Sequence, residues 1–253
     1  MLGLLHAARA CAVLGFILLG VCATPATAAR VLSIDVNKTE SGDYRASFEL
    51  ALGAGLSEIG LTLQWTSIEF APGLYRNDDL AAANAFYSAY AVPVRLMISP
   101  IQTNRKMVPS DLADKPFDDP ELIARFNAML DWVARQIPDL TVTGIILGNE
   151  YDVYLGEAPA AWVAYTAFYT ATAAHARGLW PGARISAEAT LQGAIGPMLA
   201  YNQALNQGSD VLSVSYYPLN GDYTVQAPQA VQGAFDRICA SYALPIDFEE
   251  IGY

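Results

Sequence analysis

Residues 144–150 read Gly-Ile-Ile-Leu-Gly-Asn-Glu, a mostly apolar stretch that ends in two polar residues. A short apolar run of this kind is typical of a buried strand, and here it ends in an amide and a carboxylate, Asn149 and Glu150. Six further apolar runs have the same character: Val31–Val36, Ile59–Trp65, Val94–Ser99, Ile185–Ala189, Val211–Tyr216 and Pro245–Glu250. Together with Val142–Asn149, which contains the first stretch, they predict seven buried strands.

Segments with helical periodicity separate these runs. The clearest is predicted over Asp119–Gln136, with Asp118 or Asp119 as N-cap and Pro120 at or near the first helical position. The remaining helical segments are Tyr44–Leu52, Asp78–Tyr90, Pro159–Ala176, Pro197–Asn206 and Gln229–Tyr242. Tyr44–Leu52 is the most ambiguous of them, because it also alternates like a strand. Strands that alternate with amphipathic helices predict a parallel sheet covered by helices.

Two α/β architectures fit this alternation, an open doubly wound sheet and a (β/α)8 TIM barrel. A nucleotide-binding open sheet should carry a glycine-rich loop after its first strand, and the sequence has neither Gly-x-Gly-x-x-Gly nor a Walker A motif. A barrel should instead carry its chemically active residues at the carboxyl ends of the strands, where this chain has them. We therefore predict a (β/α)8 barrel. Because only seven strands are found and a barrel needs its last strand to close, we expect the chain to be truncated after strand 7.

Composition and charge exclude several classes of function. The formal net charge is −11, which argues against binding to nucleic acid or to an anionic membrane surface. Beyond residue 28 the chain keeps one cysteine, Cys239, and one histidine, His175, which lies in a helical stretch. This composition disfavours a metal-dependent hydrolase on the same barrel, and we predict no metal and no cofactor. Serine hydrolase chemistry is also disfavoured, since no Gly-x-Ser-x-Gly motif is present.

Residues 1–28 have the features of a secretory signal peptide. An apolar run at 11–21 is followed by Ala26-Thr27-Ala28, which supplies the small residues that signal peptidase requires. The apolar run is shorter than the roughly 20 residues needed to span a bilayer. We therefore expect a secreted or periplasmic protein without stable membrane insertion after cleavage. Residues 29–253 are expected to form one catalytic barrel domain that acts as a monomer.

Acidic residues at two strand ends suggest the chemistry. Glu150 follows the fourth apolar run, and Glu250 ends the seventh. Across the mouth of a barrel, two such carboxyl groups can converge, and glycoside hydrolysis requires a facing pair of this kind. A retaining enzyme needs the two carboxyl groups about 5–5.5 Å apart.

These motifs resemble those of clan A glycoside hydrolases, the retaining (β/α)8 enzymes. The resemblance depends on Asn149-Glu150 at the fourth strand and on Glu250-Ile251-Gly252 at the seventh, with a weaker similarity after the second strand, from Trp65 to Tyr75. It implies that Glu150 is the general acid/base and Glu250 the nucleophile, and that Asn149 binds the sugar 2-hydroxyl. It also implies that Tyr216 or Tyr217 orients the nucleophile. The family spacing Glu-x-Gly and strand alternation both favour Glu250 over Glu249.

Three further residues are candidates for the substrate site. Trp65 could stack on a sugar ring, Arg95 could favour the ionised form of Glu250, and Glu188 could line a subsite. The predicted function is hydrolysis of β-glycosidic bonds in a poly- or oligosaccharide by double displacement. The alternative is a catalytically inactive barrel that binds carbohydrate.

Overall fold

The computed structural model describes residues 30–36, 39–40 and 42–252. Its strands are β1 (Ser33–Ile34), β2 (Glu58–Gln64), β3 (Glu69–Ala71), β4 (Leu74–Tyr75), β5 (Val94–Gln102), β6 (Arg105–Lys106), β7 (Val142–Asn149), β8 (Arg184–Ser186), β9 (Glu188–Thr190), β10 (Leu212–Tyr216) and β11 (Ile246–Ile251). Its α-helices are α1 (Tyr44–Gly53), α2 (Trp65–Ile68), α3 (Asp78–Tyr90), α4 (Pro120–Gln136), α5 (Tyr151–Leu155), α6 (Pro159–Leu179), α7 (Leu191–Ile195), α8 (Leu199–Leu205) and α9 (Pro228–Ser241). All seven predicted strands are present. The fifth is interrupted at Ala187, so that it forms β8 and then β9.

The parallel strands follow one another in chain order. One sheet has the order β1-β2-β5-β7-β8, and a second has the order β9-β10-β11. All of these pairings are parallel, while the short β6 pairs with β5 in the antiparallel sense. A doubly wound sheet reverses its strand order at a switch point, and this order has no reversal. The described strands are therefore arranged as in a (β/α)8 barrel, as the sequence predicted.

Helix α4 shows why the predicted helices form. The Asp119 side chain accepts hydrogen bonds from the backbone N–H groups of Glu121 and Leu122, which caps the first turn as expected. Every apolar residue on the predicted face is fully buried: Leu122, Phe126, Met129, Leu130 and Val133. This face packs against α6 and belongs to a hydrophobic core that also contains side chains of β5 and β7.

The ambiguous segment at Tyr44 is a helix. The Asp43 side chain accepts a hydrogen bond from the backbone N–H of Ala46 and so caps α1. Phe48, on the inner face of α1, is fully buried against Phe86 and Tyr90 of α3. Capping and burial decide in favour of the helix, which extends one residue beyond the predicted range.

Two sequence predictions concern segments other than the described residues. The signal peptide, residues 1–28, lies outside the described residues. The proposed further strand lies beyond the sequence and stays a prediction. Among the described residues, no helix has the length and apolar character needed to cross a membrane. The described residues from Val31 onward form one compact unit.

Candidate active site

Glu150 lies directly after β7 in a backbone conformation that few side chains adopt. Its φ is 46° and its ψ is 43°, in the left-handed region. The preceding Gly148 has a φ of 105°, and a Cβ at that position would overlap the hydroxyl of Tyr165. Left-handed non-glycine residues are unfavourable and persist where the surrounding structure holds them, often at functional sites. The chain therefore turns sharply at the strand end, and Glu150 is the N-cap of α5 instead of continuing the strand.

Two hydroxyl groups hold the carboxyl group of Glu150. Ser215 Oγ, from β10, donates to Oε1 at 2.7 Å, and Thr103 Oγ1 donates to Oε2 at 2.9 Å. Thr103 follows β5 and is itself left-handed, with a φ of 51°. Thr103, which follows β5, and Ser215, on β10, thus hold the carboxyl group of Glu150 at the end of β7. Neither Ser215 nor Thr103 was among the predicted site residues, although both are polar residues at strand ends.

Asn149, at the end of β7, contacts side chains from three other strands, β5, β9 and β11. Its Oδ1 accepts a hydrogen bond from Gln102 Nε2 at 2.6 Å, which determines the orientation of the amide. Its Nδ2 donates to Glu188 Oε2 at 2.7 Å and makes a longer contact of 3.5 Å with Glu250 Oε1. Only 2% of Asn149 is exposed. The amide therefore forms part of the floor of the site.

Glu250 is held from its other side by Tyr217. The Tyr217 hydroxyl donates to Glu250 Oε2 at 2.9 Å. Burial, with the hydrogen bond to Glu250 as the next cause, raises the pKa of the Tyr217 phenol to about 12, so this group stays protonated and can donate. Gly252 lies beneath the tyrosine ring, and a Cβ there would be 3.1 Å from Tyr217 Cε1. The glycine of the Glu-x-Gly motif thus leaves room for the residue that holds Glu250.

The two candidate catalytic acids lie at the same end of the barrel. Ser215 donates to Glu150, and in the ladder between β10 and β11 its Cα is the partner of Glu250. Asn149, next to Glu150 in the chain, contacts Glu250. Glu150, Glu250, Asn149 and Tyr217, four of the predicted site residues, are therefore brought together.

Glu249 and Glu250 are separated by a bulge and not by simple alternation. The register of β11 against β10 shifts, so that Val214 pairs with Phe248 while Ser215 pairs with Glu250. Glu249 is therefore the bulged residue and has no opposite residue in the β10 ladder. Both carboxyl groups consequently have contacts inside the barrel. Glu250 contacts Asn149 and Tyr217, whereas Glu249 contacts Arg95. Strand alternation therefore does not separate Glu249 from Glu250 in the way the sequence suggested. Their hydrogen-bond and ion-pair partners do distinguish the two residues.

Arg95 belongs to a buried ionic cluster and not to the substrate surface. It is 4% exposed and forms ion pairs with Glu58 at 2.9 Å and with Asp247 and Glu249 at 2.6 Å each. With these carboxylates around it, the guanidinium is fully engaged within the barrel. The prediction that Arg95 binds substrate and stabilises the charge of Glu250 is therefore wrong.

The cluster makes stability depend on pH through Glu249. Burial raises its pKa to about 7 even though Arg95 opposes the shift. The folded state then holds a proton that the unfolded chain, with a pKa near 4.5, has already lost. We expect the free energy of unfolding to fall by up to about 3 kcal/mol as pH rises from 4.5 to 7, because of this group.

Glu249→Gln should remove that part of the pH dependence. The measurement is urea unfolding of wild type and variant at several pH values from 4 to 8. Equal slopes against pH for the two proteins would contradict the assignment.

Two other predicted site residues, Trp65 and Tyr216, are placed elsewhere. Trp65 is fully buried, its ring lies 5.0 Å from that of Phe126, and its Nε1 donates to Glu69 at 2.7 Å. It therefore cannot stack on a sugar. Tyr216 is 3% exposed and packs against Phe235 and Phe248, so Tyr217 and not Tyr216 holds Glu250.

Glu188 lies beside the site but is fully buried, so it does not line an open subsite. Burial raises its pKa well above the usual range, and the charge of Glu250 adds to this effect. Among the described residues, no group of three or more His, Cys, Asp or Glu side chains is arranged to hold a metal ion.

No protein-family model matches this chain, and no curated protein matches it in sequence. Solved structures are nevertheless similar to it. The GH53 catalytic domain from Ignisphaera aggregans aligns with a TM-score of 0.63 at 17% identity, over 87% of this chain and 64% of that one. The exo-β-1,4-mannosidase Op5Man5 from Opitutaceae bacterium strain TAV5 aligns at 0.62 and 18% identity, over 79% and 40%. A family 39 glycoside hydrolase from Bacteroides cellulosilyticus WH2 aligns at 0.59 and 18% identity, over 87% and 48%.

These similarities define a class of fold. The chain has the α/β fold of clan A glycoside hydrolases, with no particular family within the clan singled out. It spans between 40% and 64% of the length of the three structures described above.

Proposed function

We propose that this protein is a retaining glycoside hydrolase that cleaves β-glycosidic bonds of a poly- or oligosaccharide by double displacement. The observation that carries the proposal is the convergence of Glu150 and Glu250 on Asn149 and Ser215 at one end of the barrel. Each acid has its own set of neutral hydrogen-bond donors, and neither forms an ion pair with a described residue. Two acids held in this way are available for reaction.

The two acids would act in sequence. Glu150, in its protonated form, gives its proton to the leaving oxygen while Glu250 Oε attacks the anomeric carbon and the glycosidic bond breaks. This step forms a glycosyl ester on Glu250 and leaves Glu150 ionised. Glu150 then takes a proton from water, whose oxygen attacks the same carbon and releases Glu250 as the carboxylate. Both residues return to their starting forms.

The surrounding hydroxyl groups suit both protonation states of Glu150. Ser215 and Thr103 donate to it when it is ionised. A hydroxyl group can also rotate and accept a hydrogen bond from the protonated acid. Thr103 Oγ1 also lies 3.5 Å from Asn149 Oδ1, which gives its proton a second acceptor when Glu150 is protonated. These contacts therefore hold the acid in place through the whole cycle.

Asn149 and Tyr217 would bind or orient the reacting groups. The long contact between Asn149 Nδ2 and Glu250 leaves an amide hydrogen that a sugar 2-hydroxyl can compete for. Tyr217 is 44% exposed, so its ring can contact substrate while its hydroxyl holds Glu250. We propose further that residues 1–28 direct export and that the mature protein acts as a monomer outside the cytoplasm.

The orienting role of Tyr217 leads to a specific prediction. Tyr217→Phe removes the hydroxyl donor from Glu250 but keeps the ring over Gly252. We expect kcat to fall about 10- to 100-fold, with a smaller change in KM, because the donor positions the attacking carboxylate. Tyr216→Phe is the matched control, since the Tyr216 hydroxyl has no described hydrogen-bond partner. Equal losses in the two variants would contradict the assignment.

The proposed function is tested by product stereochemistry. The protein, expressed to the natural end of its reading frame, is assayed on aryl β-glycosides and polysaccharides. β-Mannosides are included because one structural neighbour is an exo-β-1,4-mannosidase. Proton NMR of the first product formed should show the β-anomer, as double displacement requires. A first product of the α configuration would overturn the retaining mechanism, and carbohydrate binding without hydrolysis would favour an inactive barrel.

A further inference from the structure

Glu188 is a third carboxyl group at the candidate site, where it contacts Asn149. It begins β9, after the interruption at Ala187, and its Cα pairs with Ser213 of β10. The residue is fully buried. Its Oε2 accepts the hydrogen bond from Asn149, while its Oε1 is buried without a hydrogen-bond partner among the described residues. Its single donor is therefore the amide that also contacts Glu250.

Three neighbouring carboxyl groups act on the ionisation of Glu188. Glu250, Glu249 and Glu150 act on it, and each disfavours its ionisation. Arg95, a buried cation among the described residues, forms its ion pairs with other carboxylates, Glu58, Asp247 and Glu249. An ionised carboxylate that is buried with one neutral donor and no cation is strongly disfavoured.

We propose that Glu188 is a positioning residue that functions as a neutral carboxylic acid. This inference is based on the proposed function. In its neutral form Glu188 anchors one hydrogen of the Asn149 amide, and Gln102 holds the amide oxygen from the other side. The second amide hydrogen is thereby directed toward Glu250 and the position of the substrate.

The protonation of Glu188 also lowers the negative charge of the candidate site. A third ionised carboxylate so close to Glu150 and Glu250 would add electrostatic repulsion to a site that already holds two acids. With Glu188 protonated, the charge that changes during the reaction is confined to Glu150 and Glu250. The raised pKa of Glu188 agrees with this arrangement, which its burial and its contacts already require.

Glutamine has the shape of the neutral acid, so Glu188→Gln and Glu188→Ala separate the two possible roles. We expect Glu188→Gln to keep kcat/KM within about threefold of wild type. Both limbs of the profile of kcat/KM against pH should lie at the same pH values as in wild type. Glu188→Ala removes the anchor of Asn149, and kcat should fall at least tenfold with a smaller change in KM. A shift of either limb by about one pH unit in Glu188→Gln would overturn the proposal, as would a loss in Glu188→Gln equal to that in Glu188→Ala.

A second readout does not depend on activity. The infrared difference spectrum between wild type and Glu188→Gln at pH 7 should contain the carbonyl band of a protonated carboxylic acid. The spectrum for Glu157→Gln, at an exposed position, should contain carboxylate bands and no protonated-acid band. A carboxylate band for Glu188 would refute the proposal even if the enzyme is active. Conversely, absence of hydrolysis in the wild type would refute the proposed function and leave the infrared result to decide on Glu188.

Discussion

Replacing Glu250 with Gln should lower kcat/KM for β-glycosides by at least about a thousandfold, because the amide cannot attack the anomeric carbon. The fold should survive this change. Glu250 is only partly buried, and Tyr217 and Asn149 can both form hydrogen bonds with a glutamine side chain. The loss should therefore appear in kcat, and the thermal unfolding temperature should stay close to that of wild type.

Glu249→Gln is the matched control for this result. The two residues are adjacent, but the bulge in β11 directs Glu249 to Arg95 and Glu250 to Tyr217. We expect Glu249→Gln to keep most of its activity and to change the pH dependence of stability instead. The reverse pattern, with activity lost in Glu249→Gln and kept in Glu250→Gln, would show that the nucleophile has been misassigned.

Replacing Glu150 with Gln should have the second largest effect, and its size should depend on the leaving group. For a polysaccharide or an alkyl glycoside we expect a loss of about 10²- to 10⁴-fold, the usual contribution of general acid–base catalysis. An aryl glycoside with an acidic phenol needs little protonation to leave, so formation of the glycosyl-enzyme should be much less affected. Because Glu150 also activates water, the second step should then become rate-limiting, and a burst of phenol should be seen before slow turnover.

The control for this variant lies a few residues further along the chain. Glu157 is exposed and has no described contact with the site, so Glu157→Gln should leave all substrates unaffected. A loss in Glu150→Gln that is the same for good and poor leaving groups would contradict a general acid role. Presteady-state release of the phenol is the measurement that separates these outcomes.

The fold was predictable from the sequence because its signal is repeated. The central strands β5, β7 and β10 are buried on both faces and therefore read as short apolar runs, and the helices between the strands show an apolar face. The order of the strands then follows from chain order. Asn149 and Glu150 stood out for a similar reason, since two polar side chains end an otherwise apolar strand.

The contacts within the site were less predictable, because they depend on local irregularities. The bulge near Glu249 arises from pairing with β10, which sequence alternation does not reveal. Trp65 turns away from the mouth because β2 ends one residue earlier and the chain enters α2. Arg95 forms ion pairs with three carboxylates from β2 and β11. Because these strands are far apart in the sequence, the sequence alone does not show that they meet.

Covalent trapping tests the central assignment most directly. The protein is incubated with a set of 2-deoxy-2-fluoro β-glycosides that carry good leaving groups. The fluorine slows both steps, and the activated leaving group allows the glycosyl ester to accumulate. Peptide mapping by mass spectrometry should then place one sugar on Glu250, and Glu250→Gln should take up none. A sugar found on Glu249, or rapid hydrolysis of β-glycosides by Glu250→Gln, would contradict this account.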